Sequence, residues 1–537
     1  MHFCNNFRRK NYLCFKQKEI MRYFNTSGPN IMEKHYTLMR PQLIAEGLDK
    51  VLNDRYFTIW APRQTGKSTY FRLLANRLEQ EGYKVAYVNF ENFSKATLKS
   101  FLEEFHSRLK FHWDINFKGQ DLQQTFTAIS NIDDKKLVLI IDEVEGINPL
   151  FFGEFLHSVR NLYHSRETHA LKSVILVGVS NIVGVVQDNA SPFNITDNLN
   201  IPYFTDEETA ELLAQHETET GQLFDPSVKL KISEITANQP GLVNGFASLL
   251  VQNHKTKPVI TYDDYLALED WYINEAIDKN ISNIVNKAKK YRPFVERLLF
   301  TEAKVPFQIN REDIKELYVN GIINRDSNGY VAFRVPLYKK CLYAAFYPYM
   351  NGEGDRVRGN MDIDTFFTPN GLLDLDKIIG DYKIYAKRRG FRYFREKNPD
   401  GTYASLKEAA LVYSFDTFIN ALVGLVGGKT YLEPHVALGR SDIIIHLKGQ
   451  EYVVETKVYS DSVQFEDGKK QLAYYIKGLN LNTGIYLVFV RSTITNPKIK
   501  EAVDIFDGVE IKTYIVPYDL KRDFKENKKN QDDDDEE

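Results

Sequence analysis

The sequence predicts an α/β protein built on two separate sheets, the first of them parallel. Three observations carry that expectation. An apolar, β-branched run, Tyr56–Trp60, stops at Ala61-Pro62, and a helix opens at Gly66-Lys67-Ser68-Thr69. A second apolar run, Leu137–Ile141, ends in adjacent carboxylates, Asp142 and Glu143. Far downstream, Asp442, Glu455 and Lys457 stand in the spacing D-x12-E-x-K across two short strands.

The chain has 537 residues, a formal net charge of -3 and 43% hydrophobic residues. That length holds several cores, and roughly three to four domains are expected. Cys4, Cys14 and Cys341 lack metal-ligand spacing and are too few for a disulfide framework, which fits a reducing cytoplasm. No run reads as long and apolar enough to span a membrane, and no membrane partner is expected. Residues 1–20 are basic and aromatic but lack the apolar core of a signal peptide. They read as a disordered arm or an over-extended start before Met21. Residues 521–537 close on an acidic run and read as a disordered tail. The near-neutral total neither indicates nor excludes nucleic acid, because local patches differ from the mean.

Ala61-Pro62-Arg63-Gln64-Thr65-Gly66-Lys67-Ser68-Thr69 has the spacing of a phosphate-binding loop, with Ala61 where a first glycine usually stands. Gly66 lets the backbone wrap a phosphate, and N–H groups at the helix start point at the anion. Lys67 is expected to reach the β- and γ-phosphates, and the Ser68 hydroxyl to sit on Mg²⁺. Ala61 fits the turn if its φ is negative. Asp142 is expected to hold Mg²⁺ through water, and Glu143 to orient or deprotonate the attacking water. A buried strand ending in two acids has few structural reasons, since unpaired buried carboxylates are costly. ATP and Mg²⁺ follow as cofactors.

The flanking segments support this core. Residues 21–54 hold a polar turn and then a helix with Leu43, Ile44, Leu48 and Leu52; His35, Tyr36 and Arg40 either touch the base or simply pack. Lys84–Phe90 is a second strand, and Glu91 at its end either approaches the metal or serves as a polar strand end. A helix at Phe151–Tyr163 leads to a fourth strand, Ser173–Val179, where Asn181 senses a γ-phosphate or caps the strand. Arg160 and Arg166 are candidates for a trans-acting arginine or for plain solubility. Thr205-x-x-Glu208 is a capping box, and Ala237–Phe246 opens a further helix on Gln-Pro-Gly.

Residues 21 to about 255 resemble the predicted AAA-ATPase-like family of bacteria, related to the AAA+ and STAND-type ATPases. The stretches that carry the resemblance are RYFTIWAPRQTGKSTYFRLL, LVLIIDE, SVILVGVSN, SPFNI and QPGLVNGF. The resemblance implies an ASCE-type parallel sheet over 21–204, a helical lid over 205–255 and ATP hydrolysis. It also implies that a C-terminal nuclease-like domain is common among such chains.

Residues 256–350 form a middle module. Asn310-Arg311-Glu312-Asp313 caps a helix carrying Ile314, Leu317 and Tyr318. Asn328-Gly329 lies between Ile322-Ile323 and Tyr330–Val335, the signature of a two-residue hairpin turn. Helix then hairpin reads as winged-helix-like, either structural or DNA-contacting. Residues 351–361 read as a linker. Lys383–Lys397 interleaves basic and aromatic residues, for nucleic-acid contact or as an amphipathic helix.

In residues 362–520 a helix at Leu406–Gly424 precedes strands at Lys429–Ala437, Asp442–Leu447 and Glu451–Val458. Alternation puts Glu455 and Lys457 on one face, and Asp442 starts the adjacent antiparallel strand. Two carboxylates there would bind Mg²⁺, which activates water and stabilises charge on a scissile phosphate, while Lys457 positions or deprotonates that water. Gln471 lies on the next helix. The stretch resembles the PD-(D/E)xK nuclease superfamily, which implies a restriction-endonuclease-like α/β fold and a role for Gln471 in completing the site. It also implies an acid from the first helix, for which Asp416 and Glu408 both qualify. The reading is an ATPase controlling a metal-dependent nuclease on nucleic acid, DNA before RNA, with homo-oligomerisation open. The alternative is a STAND-like switch whose nuclease-like unit recognises without cleaving.

Overall fold

The computed structural model describes residues 21–117, 121–132, 136–166, 169–178, 197–301, 304–347, 363–391, 406–432, 435–436, 439–440, 442–494 and 497–518. The arm 1–20, the SPFNI stretch, Asn181, the linker 351–361 and the acidic tail lie outside these residues.

Strands β1 (Phe57–Trp60), β2 (Lys84–Asn89), β3 (Leu137–Asp142), β4 (Leu171–Gly178) and β5 (Asp197–Asn200) form one sheet, in the order β2-β3-β4-β1-β5. Every neighbouring pair is parallel. β4 lies between the strand that leads into the phosphate loop and the strand that ends in Asp142. Both faces are covered, which is why these strands read as continuous apolar runs rather than alternating ones. One face packs on Phe90, Phe101, Phe105 and Phe155. The other packs on the helix Lys67–Gln80, whose Tyr70, Phe71, Leu74 and Leu78 are buried. Parallel strands end at one edge, so the loops after β1, β3 and β4 meet there.

Three helices, Asp206–Thr220, Pro226–Thr236 and Pro240–Asn253, follow β5. The Thr205–Glu208 capping box forms as read from the sequence. In the middle module the helix Glu312–Val319 precedes the antiparallel pair Ile323–Arg325 and Val331–Phe333. The connection is longer than a two-residue turn: Asp326 Oδ1 accepts from the N–H groups of Asn328 and Tyr330, and Gly329 alone takes positive φ, 87°. The aspartate outcompetes the Asn-Gly turn by capping the loop's own donors.

The C-terminal sheet is mixed. Its strands run, in space, Lys429–Leu432, Ile443–Leu447, Gln450–Val458, Thr483–Arg491, Val509–Tyr518 and Ala502–Phe506. The stretch expected as one strand over 429–437 breaks after Leu432, and His435–Val436 pairs instead with Gly439–Arg440. The helix Leu375–Arg389 packs Tyr385 on Phe418 and ion-pairs Lys383 with Glu501. This described part of the basic-aromatic stretch is therefore an amphipathic core helix, not a stacking platform. One apolar stretch, Glu408–Val426, does reach the length and hydropathy of a membrane span, contrary to the sequence reading. Its Phe415, Phe418, Ile419 and Leu422 are buried in the core instead.

The largest core runs without interruption from Phe246 in the helices after β5, through Tyr343 in the middle module, to Tyr413 and Ile443 beyond the linker. Lys407 N donates to Phe300 O at 3.1 Å, and the Tyr343 and Tyr413 rings lie 4.9 Å apart. Lys340 Nζ bonds both Glu269 at 2.7 Å and the carbonyl of Leu432 at 3.0 Å. The C-terminal unit thus sits on the middle module.

Candidate functional site

At the shared strand edge of the first sheet lies a cavity of about 480 Å³. Arg63, Gln64, Thr65, Gly66, Lys67 and Ser68 form its floor. Ala61 keeps a negative φ, and the left-handed positions fall at Gln64 (59°) and Gly66 (86°). The departure at Ala61 therefore costs the loop nothing. Lys67 is buried, and its Nζ donates to the carbonyls of Ala61 at 2.8 Å and Pro62 at 3.1 Å. Burial pulls its pKa down, against the opposing pull of Glu143, Asp142 and Glu145. Phosphate oxygens are stronger acceptors than these neutral carbonyls, so a nucleotide can take the ammonium over.

Asp142 ends β3 with both carboxylate oxygens engaged: Oδ2 accepts from Tyr87 Oη at 3.2 Å and Oδ1 from Glu143 N at 3.0 Å. Burial pushes its pKa up. Glu143 adopts φ 50° and opens a tight turn, Val144–Gly146. Burial also raises Glu143, with Glu145 and Asp142 adding to the effect. Glu143, Glu145 and Glu91 all line the cavity. Thr69 Oγ1 accepts from Asn30 N at 3.0 Å, which folds the polar turn Asn25–Asn30 over the helix start.

Leu38, Ile44, Ile201, Phe204 and Leu212 supply an apolar wall suited to a base. Arg40 lines the same end but is committed elsewhere, to Glu208 at 2.9 Å and to the carbonyls of Pro202 and Tyr203. His35 and Tyr36 pack rather than line: His35 bonds Tyr23, and Tyr36 bonds His216. Arg166, just past the helix Pro149–His164, is pinned back on its last turn, over the Tyr163 ring at 4.2 Å. The helix Pro240–Asn253 docks on the phosphate loop, with Gly241 N donating to Gln64 O at 3.0 Å and Gln239 Nε2 to Arg63 O at 3.2 Å. A Cβ at Gly241 would come 2.6 Å from Gln64 Cβ, so only glycine fits there.

The second constellation lies on the C-terminal sheet. Ile443 pairs with Val454, which brings Asp442 beside the strand carrying Glu455 and Lys457. Lys457 Nζ bonds Glu455 at 3.1 Å and Glu408 at 3.2 Å. Asp442 Oδ2 accepts from Thr456 N at 2.6 Å and Thr456 Oγ1 at 2.8 Å. Glu455 is buried, and its Oε2 has no hydrogen-bond partner. Burial, and then Asp442, push its pKa up to about 8. The cluster of Glu455, Asp442 and Glu408 outweighs burial and holds Lys457 charged. Tyr486, opposite Glu455 in register, also buries an unpartnered hydroxyl. Two buried polar atoms thus lie without a hydrogen-bond partner on paired positions of neighbouring strands, Glu455 Oε2 and the Tyr486 hydroxyl.

Of the two acids left open on the preceding helix, the structure brings Glu408 to Lys457 and keeps Asp416 away. Asp416 is half-buried and accepts from Thr430 Oγ1 at 2.5 Å, and desolvation lifts its pKa to about 6. Gln471 is exposed and donates to Tyr475 Oη, so this structure does not bring its amide to the site. Among the described residues, no three His, Cys, Asp or Glu side chains gather closely enough to hold a metal. Asp416→Asn should therefore leave divalent-cation affinity unchanged, whereas Glu408→Gln should weaken Lys457 anchoring and alter it. The Asp416 carboxyl has a folded pKa above its unfolded one, so its contribution to stability falls as pH rises from about 4 to about 6. Melting at pH 7.5 should show Asp416→Asn at least as stable as the parent.

The first cavity joins a left-handed glycine turn, a buried lysine and two strand-end carboxylates at the edge of a parallel sheet, which defines a P-loop ATPase. The sequence pattern of the AAA-like domain matches residues 40–344. The chain belongs to that family. No curated protein matches it. Among solved structures it is similar to the Walker-type ATPase of Pyrococcus abyssi, at 13% identity and TM-score 0.45, covering 59% of this chain and 99% of that one. It is also similar to the Holliday junction branch migration motor RuvB of Thermotoga maritima, at 14% identity and TM-score 0.33, covering 55% and 90%. A third is the Orc1 protein of Aeropyrum pernix in complex with DNA, at 15% identity and TM-score 0.33, covering 57% and 93%.

Sequence reasoning missed Tyr87, Asn30 and Glu145. Glu145 was visible as a third acid after the strand; Asn30 and Tyr87 carried no signal.

Proposed function

We propose that ATP turnover in the N-terminal half controls a C-terminal site that cleaves nucleic acid with Mg²⁺, DNA in preference to RNA. The observation that carries the second half is the buried Glu455, with its orphaned oxygen, held beside Lys457, Glu408 and Asp442. Mg²⁺ held by Asp442 and Glu455 would supply charge for the scissile phosphate and acidify its water. Lys457, anchored by Glu408, is placed to orient that water. At the ATP site, Ser68 and Asp142 would hold Mg²⁺, Lys67 would bind the phosphates, and Glu143 would take the proton of the attacking water.

Control is supported by contact. A Cβ on Gly321 of the winged-helix-like module would meet Pro62 Cβ of the phosphate loop at 2.9 Å. Lys340 of the same module bonds the C-terminal sheet. A change at the loop on nucleotide binding therefore has a packed path to the second site. The alternative, recognition without cleavage, is favoured by the engagement of Asp442 with Thr456.

Purified protein incubated with labelled DNA and RNA, with Mg²⁺ or Mn²⁺ and with or without ATP, separates the two. Metal-dependent shortening of DNA, modulated by ATP, is expected. Retention of intact nucleic acid under all conditions would establish the recognition reading instead.

A further inference from the structure

We propose that Glu145 is a second carboxylate of the ATP-hydrolysing site, holding the attacking water jointly with Glu143. The inference rests on the ATPase reading of the first cavity and deepens it. Three features place the side chain. Val144 is fully buried, which anchors the tight turn and leaves Glu143 and Glu145 on either side of it, both lining the cavity. Gly146 closes the turn, its N–H donating to Glu143 O at 2.8 Å; a Cβ there would come 2.4 Å from Phe90 O. The turn is thus pressed against the end of β2 and cannot swing away.

The third feature is Gly178, the last residue of β4. A Cβ at that position would come 2.6 Å from Glu145 Oε2. The glycine leaves the space that the carboxylate occupies, between the ends of β3 and β4. β4 lies between β1, which feeds the phosphate loop, and β3, which ends in Asp142, so the carboxylate lines the cavity between these two halves of the ATP site. The charge of Glu145 reaches Lys67, Asp142 and Glu143.

The chemistry needs two acceptors. As the water oxygen bonds to the γ-phosphorus, the bond from that phosphorus to the β,γ-bridging oxygen breaks, and ADP keeps the electron pair. The water gives up one proton, which Glu143 accepts. Its other hydrogen needs an acceptor that fixes the oxygen in line, and the Glu145 carboxylate supplies a charge-assisted one that a neutral glutamine amide matches only weakly.

The test compares Glu145→Gln, Glu143→Gln, the double variant and Gly178→Ala in the full chain, with kcat, ATP Kd by calorimetry and melting temperature for each. Glu145→Gln should lower kcat by about tenfold or more while ATP Kd stays within about twofold. Because the two acids act on one water, the double variant should be little slower than the slower single one. Gly178→Ala should lower kcat in the same way, by displacing the carboxylate without altering any charge. Wild-type kcat in Glu145→Gln would overturn the proposal, as would fully multiplicative losses in the double variant. So would a loss in kcat matched by equal losses of ATP affinity and melting temperature. Failure of the parent protein to bind ATP would instead defeat the ATPase reading itself.

Discussion

Lys67→Ala abolishes ATP turnover and weakens ATP binding by roughly 10- to 100-fold, the scale of a lost charge-assisted hydrogen bond. In the absence of nucleotide the ammonium is held by the carbonyls of Ala61 and Pro62. Removing it frees two backbone acceptors and leaves the β- and γ-phosphates without their closest cation. The pair of measurements that checks this is calorimetric ATP binding and phosphate release. Glu143→Gln serves as the contrast: it should bind ATP like the parent but hydrolyse it about 100-fold more slowly. Equal hydrolysis by the parent and the glutamine variant would sink the assignment of Glu143 to the water.

Glu455→Gln removes both the metal response of the C-terminal site and the pH dependence that its carboxyl carries. The folded pKa of Glu455, about 8, lies above its unfolded value. In metal-free protein this group's contribution to stability therefore falls as pH rises from about 4.5 to about 8. A divalent cation competes with the proton, so apparent Mg²⁺ or Mn²⁺ affinity should tighten over the same window and level off above it. The glutamine variant has no proton to lose. It should be more stable than the parent at pH 8 without metal, and should show no metal-induced rise in melting temperature at pH 6 or pH 8. ATP hydrolysis should persist in this variant, since the two sites belong to different sheets. A plain Lys457–Glu455 ion pair predicts the opposite: loss of stability on substitution and no heat on metal titration in either protein.

What the sequence by itself determined is the chemistry carried by contiguous residues. The phosphate loop, the β3 acids and the Thr205 capping box each lie within a single strand–turn–helix or helix start, where local spacing settles geometry. The Glu455–Lys457 pair was legible for the same reason, since alternation along one strand decides the shared face. Tertiary structure decided everything that depends on how elements rotate and dock. Glu408 and Asp416 lie on one helix, roughly 12 Å apart along its axis; only the packing of that helix on the sheet brings Glu408 to Lys457 and turns Asp416 to Thr430. Tyr385 and Phe391 lie in a basic stretch that reads either as a nucleic-acid platform or as an amphipathic helix, and the core takes them, because burying a ring gains more than leaving it in water. Glu145 gained its place from the glycine at the end of β4, a residue more than thirty positions away in sequence. The docking of Gly241 on Gln64 and of Gly321 on Pro62 is likewise invisible in one dimension. Each is a close approach between distant segments, and a glycine announces only that some approach exists, not its partner.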